Sequence, residues 1–256
     1  MTRADKAKRF GDLHRKGNPL VLYNIWDAGS AKAVADAGAQ ALATGSWSVA
    51  AAQGFGDGQK IPLEALVATA KSIVAASDLP LSVDFEGAYS EDPEGAAANV
   101  GKLIDVGAIG INFEDQVVGG AGLYDVEAQS VRIRAIRALA ESRGLPFFIN
   151  ARTDLFLKES DDAKHAGLVD EAIARGKAYA EAGASGFFVP WLADVHLIEK
   201  ICAASSLPVN VMMKPGAPDI ATLSKAGVGR ISYGPFPYRA MIEWLKGQAA
   251  GVYTPA

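Results

Sequence analysis

Cysteine is almost missing from this chain: Cys202 is the only one in 256 residues. It can close no internal disulfide, and a cysteine-built zinc site is excluded. Histidine is nearly as scarce. His14, His165 and His196 are the only three, too few for a histidine-rich metal cage. No window holds the ~18 apolar residues of a membrane span. The opening MTRADKAKRFGDLHRKGN also lacks the apolar core of a secretory leader. An excess of positive charge is absent too. Lys and Arg number 25 against 29 Asp and Glu, a net charge of −4, which argues against nucleic-acid or anionic-membrane partners. Low-complexity stretches, heptads and linkers are missing. With half its residues hydrophobic, the chain has ample material for a core. The expectation is a soluble, cytoplasmic protein forming one domain over residues 1–256.

What is present is a rhythm. Short apolar runs alternate with longer amphipathic segments. The runs are 20–23, 39–43, 81–83, 109–113, 147–149, 186–189, 209–212 and 230–232. They suit strands buried on both faces, as in a parallel sheet. Between them, the segment from Pro62 to Ala76 puts Leu63, Leu66, Val67, Ala70, Ile73 and Val74 on one helical face. Pro62 suits the first turn of that helix. Glycines 38, 107, 183 and 227 stand where helices should stop. Eight strand–helix units in this length predict a closed (β/α)8 barrel of the TIM type. No glycine-rich dinucleotide fingerprint follows the first run, which disfavours an open doubly wound sheet. An extra helix is expected over residues 3–16.

In such a barrel, function gathers at the C-terminal ends of the strands, and here those ends are polar. Asp84 and Glu86 follow the third run, and Glu114 follows the fourth. Two residues apart in an extended segment, Asp84 and Glu86 project to the same side. Three carboxylates converging in a dry mouth repel one another unless a cation sits among them. Oxygen ligands of this kind suit Mg²⁺ or Mn²⁺. The alternative is that Glu86 and Glu114 merely pair with Arg152 or Lys214. Arg152, closing the fifth run, suits a two-pronged grip on a carboxylate or phosphonate, or an ion pair with a neighbouring acid. The turn Gly45-Ser46-Trp47 can cradle an anionic oxygen with backbone N–H groups. Tyr23, ending the first run, is placed by position to touch substrate or move its proton.

Taken in order, NIWDAGSAKAVADAG, ATGSWSVAAAQGFGD, SVDFEGAYS, INFEDQ, NARTD and NVMMKPG cover nearly the whole chain. Together they resemble the isocitrate lyase / phosphoenolpyruvate mutase superfamily. The resemblance implies a (β/α)8 barrel, a homo-oligomer (often a tetramer exchanging its last helix), Mg²⁺, and a small carboxylate substrate handled through an enolate. Position by position, it implies that Asp84, Glu86 and Glu114 form the metal cluster. Gly45, Ser46 and Trp47 would be the oxo-acid cradle and Arg152 the carboxylate clamp. It also brings in Asp57 as an active-site acid and Asn210 as a residue at the end of strand seven. The lid departs from the pattern. Isocitrate and methylisocitrate lyases carry Lys-Lys-Cys-Gly-His there, whereas Gln116 to Tyr124 has neither cysteine nor histidine. The mutase histidine after strand six is replaced near Pro190.

The expected activity is a Mg²⁺-dependent lyase cleaving a C–C bond of a small 2-oxo or 2-hydroxy acid, by aldol-type cleavage or decarboxylation. Alternatives are P–C chemistry of the phosphonopyruvate hydrolase or phosphoenolpyruvate mutase type, a Schiff-base aldolase using Lys214, and a catalytically silent 2-oxo-acid binder. Cys202 lies on the helix leading into strand seven, at the wrong end of the unit for catalysis.

Overall fold

The computed structural model describes residues 2–253. In chain order its first half runs α1 (Arg3–Asp12), β1 (Leu20–Leu22), α2 (Ala28–Asp36), β2 (Leu42–Ala43), α3 (Ser46–Ala52), α4 (Leu63–Ala76), β3 (Leu81–Asp84), α5 (Pro93–Val106), β4 (Gly110–Glu114) and α6 (Val126–Ser142). The second half runs β5 (Phe148–Arg152), α7 (Leu155–Lys158), a 3-10 helix (Asp162–Leu168), α8 (Val169–Glu181), β6 (Gly186–Phe188), α9 (Val195–Ala204), β7 (Val209–Met212), α10 (Ile220–Lys225), β8 (Arg230–Ser232) and α11 (Phe236–Tyr253). All eight strands are parallel, and β1 joins β8. Just beyond β1 and β2 the ring closes. Ile25 donates its N–H to the Ala43 carbonyl (2.9 Å), and the Gly45 N–H donates to the Ile25 carbonyl (3.2 Å). This is the expected (β/α)8 barrel with an extra N-terminal helix. Among the described residues no helix is long and apolar enough to cross a membrane.

Two expected elements shift for local reasons. The run over 39–43 contributes only Leu42–Ala43, because Gly38 and Ala39 close α2 by donating to the Ala35 and Val34 carbonyls. Pro62 sits one position outside α4 as its N-cap.

Strand alternation decides what the barrel presents inside. Val83, Ile111, Ile149, Phe187, Val211 and Ile231 are buried against the helical ring. The alternate positions face the lumen, and many are polar: Ser82, Asp84, Asn112, Asn150, Asn210, Arg230 and Ser232. Asn150 Nδ2 donates to Asn112 Oδ1 (2.9 Å) and Asn210 Oδ1 (3.0 Å), and Arg230 Nη2 donates to Asn112 Oδ1 (3.1 Å). Gly186 makes room for this layer, since a Cβ there would lie 2.7 Å from Asn150 Oδ1. Bulky aliphatic layers would fill an ordinary barrel. This one carries hydrogen-bonding groups up to the floor of its mouth.

Phe10 of α1 and His14 just after it help close the opposite end. Phe10 meets Phe148 edge-on at 5.2 Å, and His14 stacks on Phe148 at 4.1 Å. His14 Nδ1 lies 2.7 Å from the Phe10 carbonyl oxygen. Burial, then the charge of Arg230, push the imidazole down to about 3. On acidification the unfolded chain therefore takes the proton first. The stability is fully present above about 6.5 and is lost as pH falls towards 3, at up to ~1.4 kcal/mol per pH unit for one proton. Urea midpoints between pH 7 and pH 5 should fall more steeply for the wild type than for His14→Phe, which keeps the stack. Parallel curves would contradict this reading of His14.

Candidate active site

A cavity of about 210 Å³ opens at the C-terminal ends of the strands. Gly45, Ser46, Trp47, Asp57, Asp84 and Arg152 all line it, as the sequence pattern expects. Asp84 ends β3 as a lumen-facing residue, and its carboxylate is held from two sides. Oδ2 accepts the Ser46 N–H (2.9 Å), and Oδ1 accepts Asn112 Nδ2 (3.1 Å). The Asp84 N–H donates to Thr44 Oγ1 (2.9 Å). These contacts aim the acid into the cavity. Ser46 and Trp47 open α3, where first-turn N–H groups have no acceptor within the helix. Ser46 spends its N–H on Asp84, which leaves that of Trp47 for a ligand.

The other carboxylates stand behind this one. Glu86 breaks the strand alternation: its φ is 50°, in the left-handed region. Its carboxylate turns to the backbone, accepting the N–H groups of Gly58 (2.9 Å) and Gln59 (3.0 Å). Burial, then Asp57 and Asp84, push it up to about 8. Ala88 and Tyr89 also have positive φ, 58° and 57°. Arg132 pins this turn by donating to the Gly87 (2.7 Å) and Ser90 (2.8 Å) carbonyls. Glu114 is buried against Arg152, Oε2 to Nη1 at 3.1 Å. Arg152 gives its fork to Asp154 instead, through Nε (2.6 Å) and Nη2 (3.0 Å). Burial and nearby carboxylates therefore raise Glu114 well above the usual range despite its single guanidinium contact. Arg152 stays charged: burial opposes this, but Asp154 and Glu114 outweigh it. Asp57, at the mouth, is also raised, by burial and then by Asp84.

These positions refine the expected site. Among the described residues no three acidic, histidine or cysteine side chains converge as ligands of one ion. Asp84 alone of the expected metal trio lines the cavity, because Glu86 is taken by amides and Glu114 by Arg152. The ion pair weighed for Glu114 and Arg152 is present, and the guanidinium expected as a clamp already holds two acids. Asn210 lies below the cavity floor, donating to the Val211 and Arg230 carbonyls and to Ser232 Oγ. Tyr23 faces outward, 48% exposed, with its ring 5.1 Å from that of Tyr233. Its neighbour Asn24 lines the cavity, and Asn24 Oδ1 accepts the N–H groups of Tyr233 and Gly234 (2.8 Å each). Alternation from the buried Leu20 and Leu22 points to Asn24 and away from Tyr23.

Other contributors carry weaker signals in the sequence. Asp115 accepts the Asp154 N–H (3.0 Å), Tyr179 Oη (2.8 Å) and Arg175 Nη1 (3.1 Å), and so fixes the turn that delivers Asp154 to Arg152. Arg239 sits at the rim, its guanidinium 4.6 Å from the centre of the Trp47 ring, and no salt bridge engages it among the described residues.

Residues 10–253 match the family model described as phosphoenolpyruvate phosphomutase. The chain belongs to the phosphoenolpyruvate phosphomutase family. A Burkholderia cenocepacia protein described as a candidate phosphonomutase superposes with a TM-score of 0.95 at 46% identity, over 98% of this chain and 99% of its own. An uncharacterised Mycobacterium tuberculosis protein is 35% identical over 232 residues, 90% of this chain and 83% of its own length. The 2-methylisocitrate lyase of Escherichia coli is 29% identical over 245 residues, 92% of this chain and 80% of its own length.

Within this phosphoenolpyruvate phosphomutase family member, the segment where the resemblance places a lid lies apart from the cavity. Gln116 to Tyr124 folds on itself through Val117 N–H to the Gly122 carbonyl (3.2 Å) and Tyr124 N–H to the Asp115 carbonyl (2.8 Å). It does not line the cavity, whose mouth is flanked by Leu157 and Trp191. Cys202 is buried on α9, its thiol pushed up to about 12 by burial. The chain neighbour at its carbonyl is Lys16, beyond the barrel's N-terminal end, away from the chemistry.

Proposed function

We propose that this chain is a Mg²⁺-dependent lyase that cleaves a carbon–carbon bond of a small 2-hydroxy or 2-oxo carboxylic acid through an enolate. The observation that carries this reading is Asp84, the cavity-facing carboxylate, surrounded by Asp57, Glu86 and Glu114. Burial and mutual repulsion raise those three acids, which is the condition a bound divalent cation relieves. The donor set therefore fits Mg²⁺, or Mn²⁺: Asp84 would hold the ion, with Glu86 and Glu114 supplying charge behind it. When bound, the cation supplies a Lewis acid for the substrate's carboxylate and 2-oxygen.

The chain's own residues do the rest. In an aldol-type cleavage the 2-hydroxyl gives up its proton and the C2–C3 bond breaks. As C2 becomes a carbonyl, the electron pair of that bond stays on C3 and spreads into the carboxylate that C3 carries, as an enolate, and C3 then takes a proton. Asp57, lining the same cavity, is the group placed to carry the proton. The Trp47 N–H at the start of α3 offers a donor to developing negative charge. Arg239, unpaired at the rim and braced on Trp47, receives a substrate carboxylate. Arg152 orders Glu114 and Asp154 beneath it.

C–C chemistry is favoured over P–C chemistry because a phosphonate dianion seeks several cationic donors, and among the described residues Arg239 is the one guanidinium at the cavity left without an acid. The chain works as a homo-oligomer, in which α11 packs on another copy. This assembly is supported by Trp244, 64% exposed, and Val252, 78% exposed, along the later turns of that helix. The Schiff-base alternative loses ground, since Lys214 Nζ lies over the Trp191 ring at 4.6 Å and 3.4 Å from Asp162.

The test offers phosphonopyruvate and a panel of substituted malates to Mg²⁺-loaded protein. Chelator-sensitive release of a 2-oxo acid from a malate is expected. Phosphate or phosphoenolpyruvate from phosphonopyruvate alone would move the chain to P–C chemistry, and no product from any of them would make it a binder.

A further inference from the structure

Two of the buried arginines are well partnered. Arg175 donates to Asp115 and Glu171, and Arg132 donates to Gln129 and to the Gly87 and Ser90 carbonyls. Arg230 is not. Its side chain is fully buried in the barrel lumen, beneath the cavity and outside its lining. It makes one hydrogen bond, from Nη2 to Asn112 Oδ1 (3.1 Å), and among the described residues its Nε and Nη1 meet no acceptor. The lumen groups around it, Ser82, Asn150, Asn210 and Ser232, carry no charge. Burial pushes the guanidinium down to about 9 while Asp84 acts against the fall, so it stays charged at neutral pH. An unpaired charge in such a place is costly to the fold.

One path leads from this charge to the site. Asn112 Oδ1 accepts from Arg230 Nη2 and from Asn150 Nδ2 (2.9 Å), so both its lone pairs are engaged. The amide cannot turn over, and its Nδ2 donates to Asp84 Oδ1 (3.1 Å). The guanidinium polarises this amide towards Asp84. Above, the mouth is crowded with the carboxylates of Asp57, Asp84, Glu86 and Glu114, and Arg152 is spent on Glu114 and Asp154. An anion entering there is repelled. Arg230 is a fixed positive charge behind Asp84 with no acid to cancel it.

Resting on the reading that Mg²⁺ binds at Asp84, we propose that Arg230 is a positioning residue whose charge, carried to Asp84 by the Asn112 amide, sets what the mouth binds. It weakens the site for the bare cation and strengthens the loaded site for an anionic 2-oxo acid and its enolate. Arg230 itself touches neither. Removing its charge must therefore move the two affinities in opposite directions. Removing a merely structural side chain would loosen Asp84 and weaken both.

Calorimetry tests this without turnover. Mg²⁺ is titrated into wild type, Arg230→Met and Arg230→Gln, and oxalate is then titrated into each Mg²⁺-saturated protein. Methionine removes the charge but leaves Asn112 Oδ1 its Asn150 donor. It should bind Mg²⁺ about tenfold more tightly and oxalate about tenfold more weakly, the order expected of one unit charge acting through a protein interior. Its urea midpoint should equal or exceed that of wild type, because an unpaired buried charge has gone. Glutamine offers Asn112 an N–H donor without the charge, and should shift both affinities as methionine does. Both ligands weakening together, neither shifting, or a glutamine variant that matches wild type would overturn the role of the charge and leave the lyase reading standing. A wild type that binds no Mg²⁺, or no oxalate once loaded, would overturn the lyase reading and this proposal with it.

Discussion

Replacing Asp84 by asparagine should lower kcat by at least ~10²–10³-fold, the scale seen when a single preorganised electrostatic contact to a reacting centre is removed. The reason is positional. Among the expected metal ligands, Asp84 is the acid that lines the cavity, and it is aimed there by Ser46 and Asn112. Asparagine removes the charge and mispairs one of those donors, since Asn112 Oδ1 already accepts from Asn150 and Arg230. The stability loss should stay near the ~1–3 kcal/mol of one unsatisfied buried group, so the variant should remain folded. Kinetics at saturating Mg²⁺, with circular dichroism on the same samples, separate the two effects. Activity within tenfold of wild type would remove Asp84 from the centre of the chemistry.

Arg152 should matter most for the fold. Arg152→Ala leaves Glu114 and Asp154 buried with no counter-cation, and breaking a buried pair in this way costs roughly 3–5 kcal/mol. Arg152→Lys should recover little of it. One ammonium cannot reproduce the fork on Asp154 and the third contact to Glu114 at 3.1 Å. Urea unfolding of both variants measures this. A lysine variant within about 1 kcal/mol of wild type would show that bulk charge, and not the planar fork, holds the two acids.

The barrel was legible because its strands are short apolar runs punctuated by glycine and proline, a pattern that depends on local sequence. The polar strand ends were legible for the same reason, and they led to Asp84 and the opening of α3, whereas Asp57 came only through the family resemblance. What failed was side-chain direction past the strand ends. Alternation held through Leu20, Leu22 and Asn24, so the pocket residue is Asn24, and Tyr23 turns outward. Alternation broke at Glu86, whose positive φ is imposed by a turn that Arg132 holds from α6, 46 residues further on. No local pattern announces such a contact. Arg239 and Trp191 were equally silent: an arginine early in a terminal helix and a tryptophan in a loop gain meaning only when the barrel brings them to one mouth.

The most direct measurement is a crystal structure of the protein with Mg²⁺ and oxalate, a planar mimic of a pyruvate-type enolate. The account predicts one cation bound at Asp84, with oxalate between it and the first turn of α3 at Ser46 and Trp47. A cation bound elsewhere, or oxalate seated away from Asp84, would contradict it.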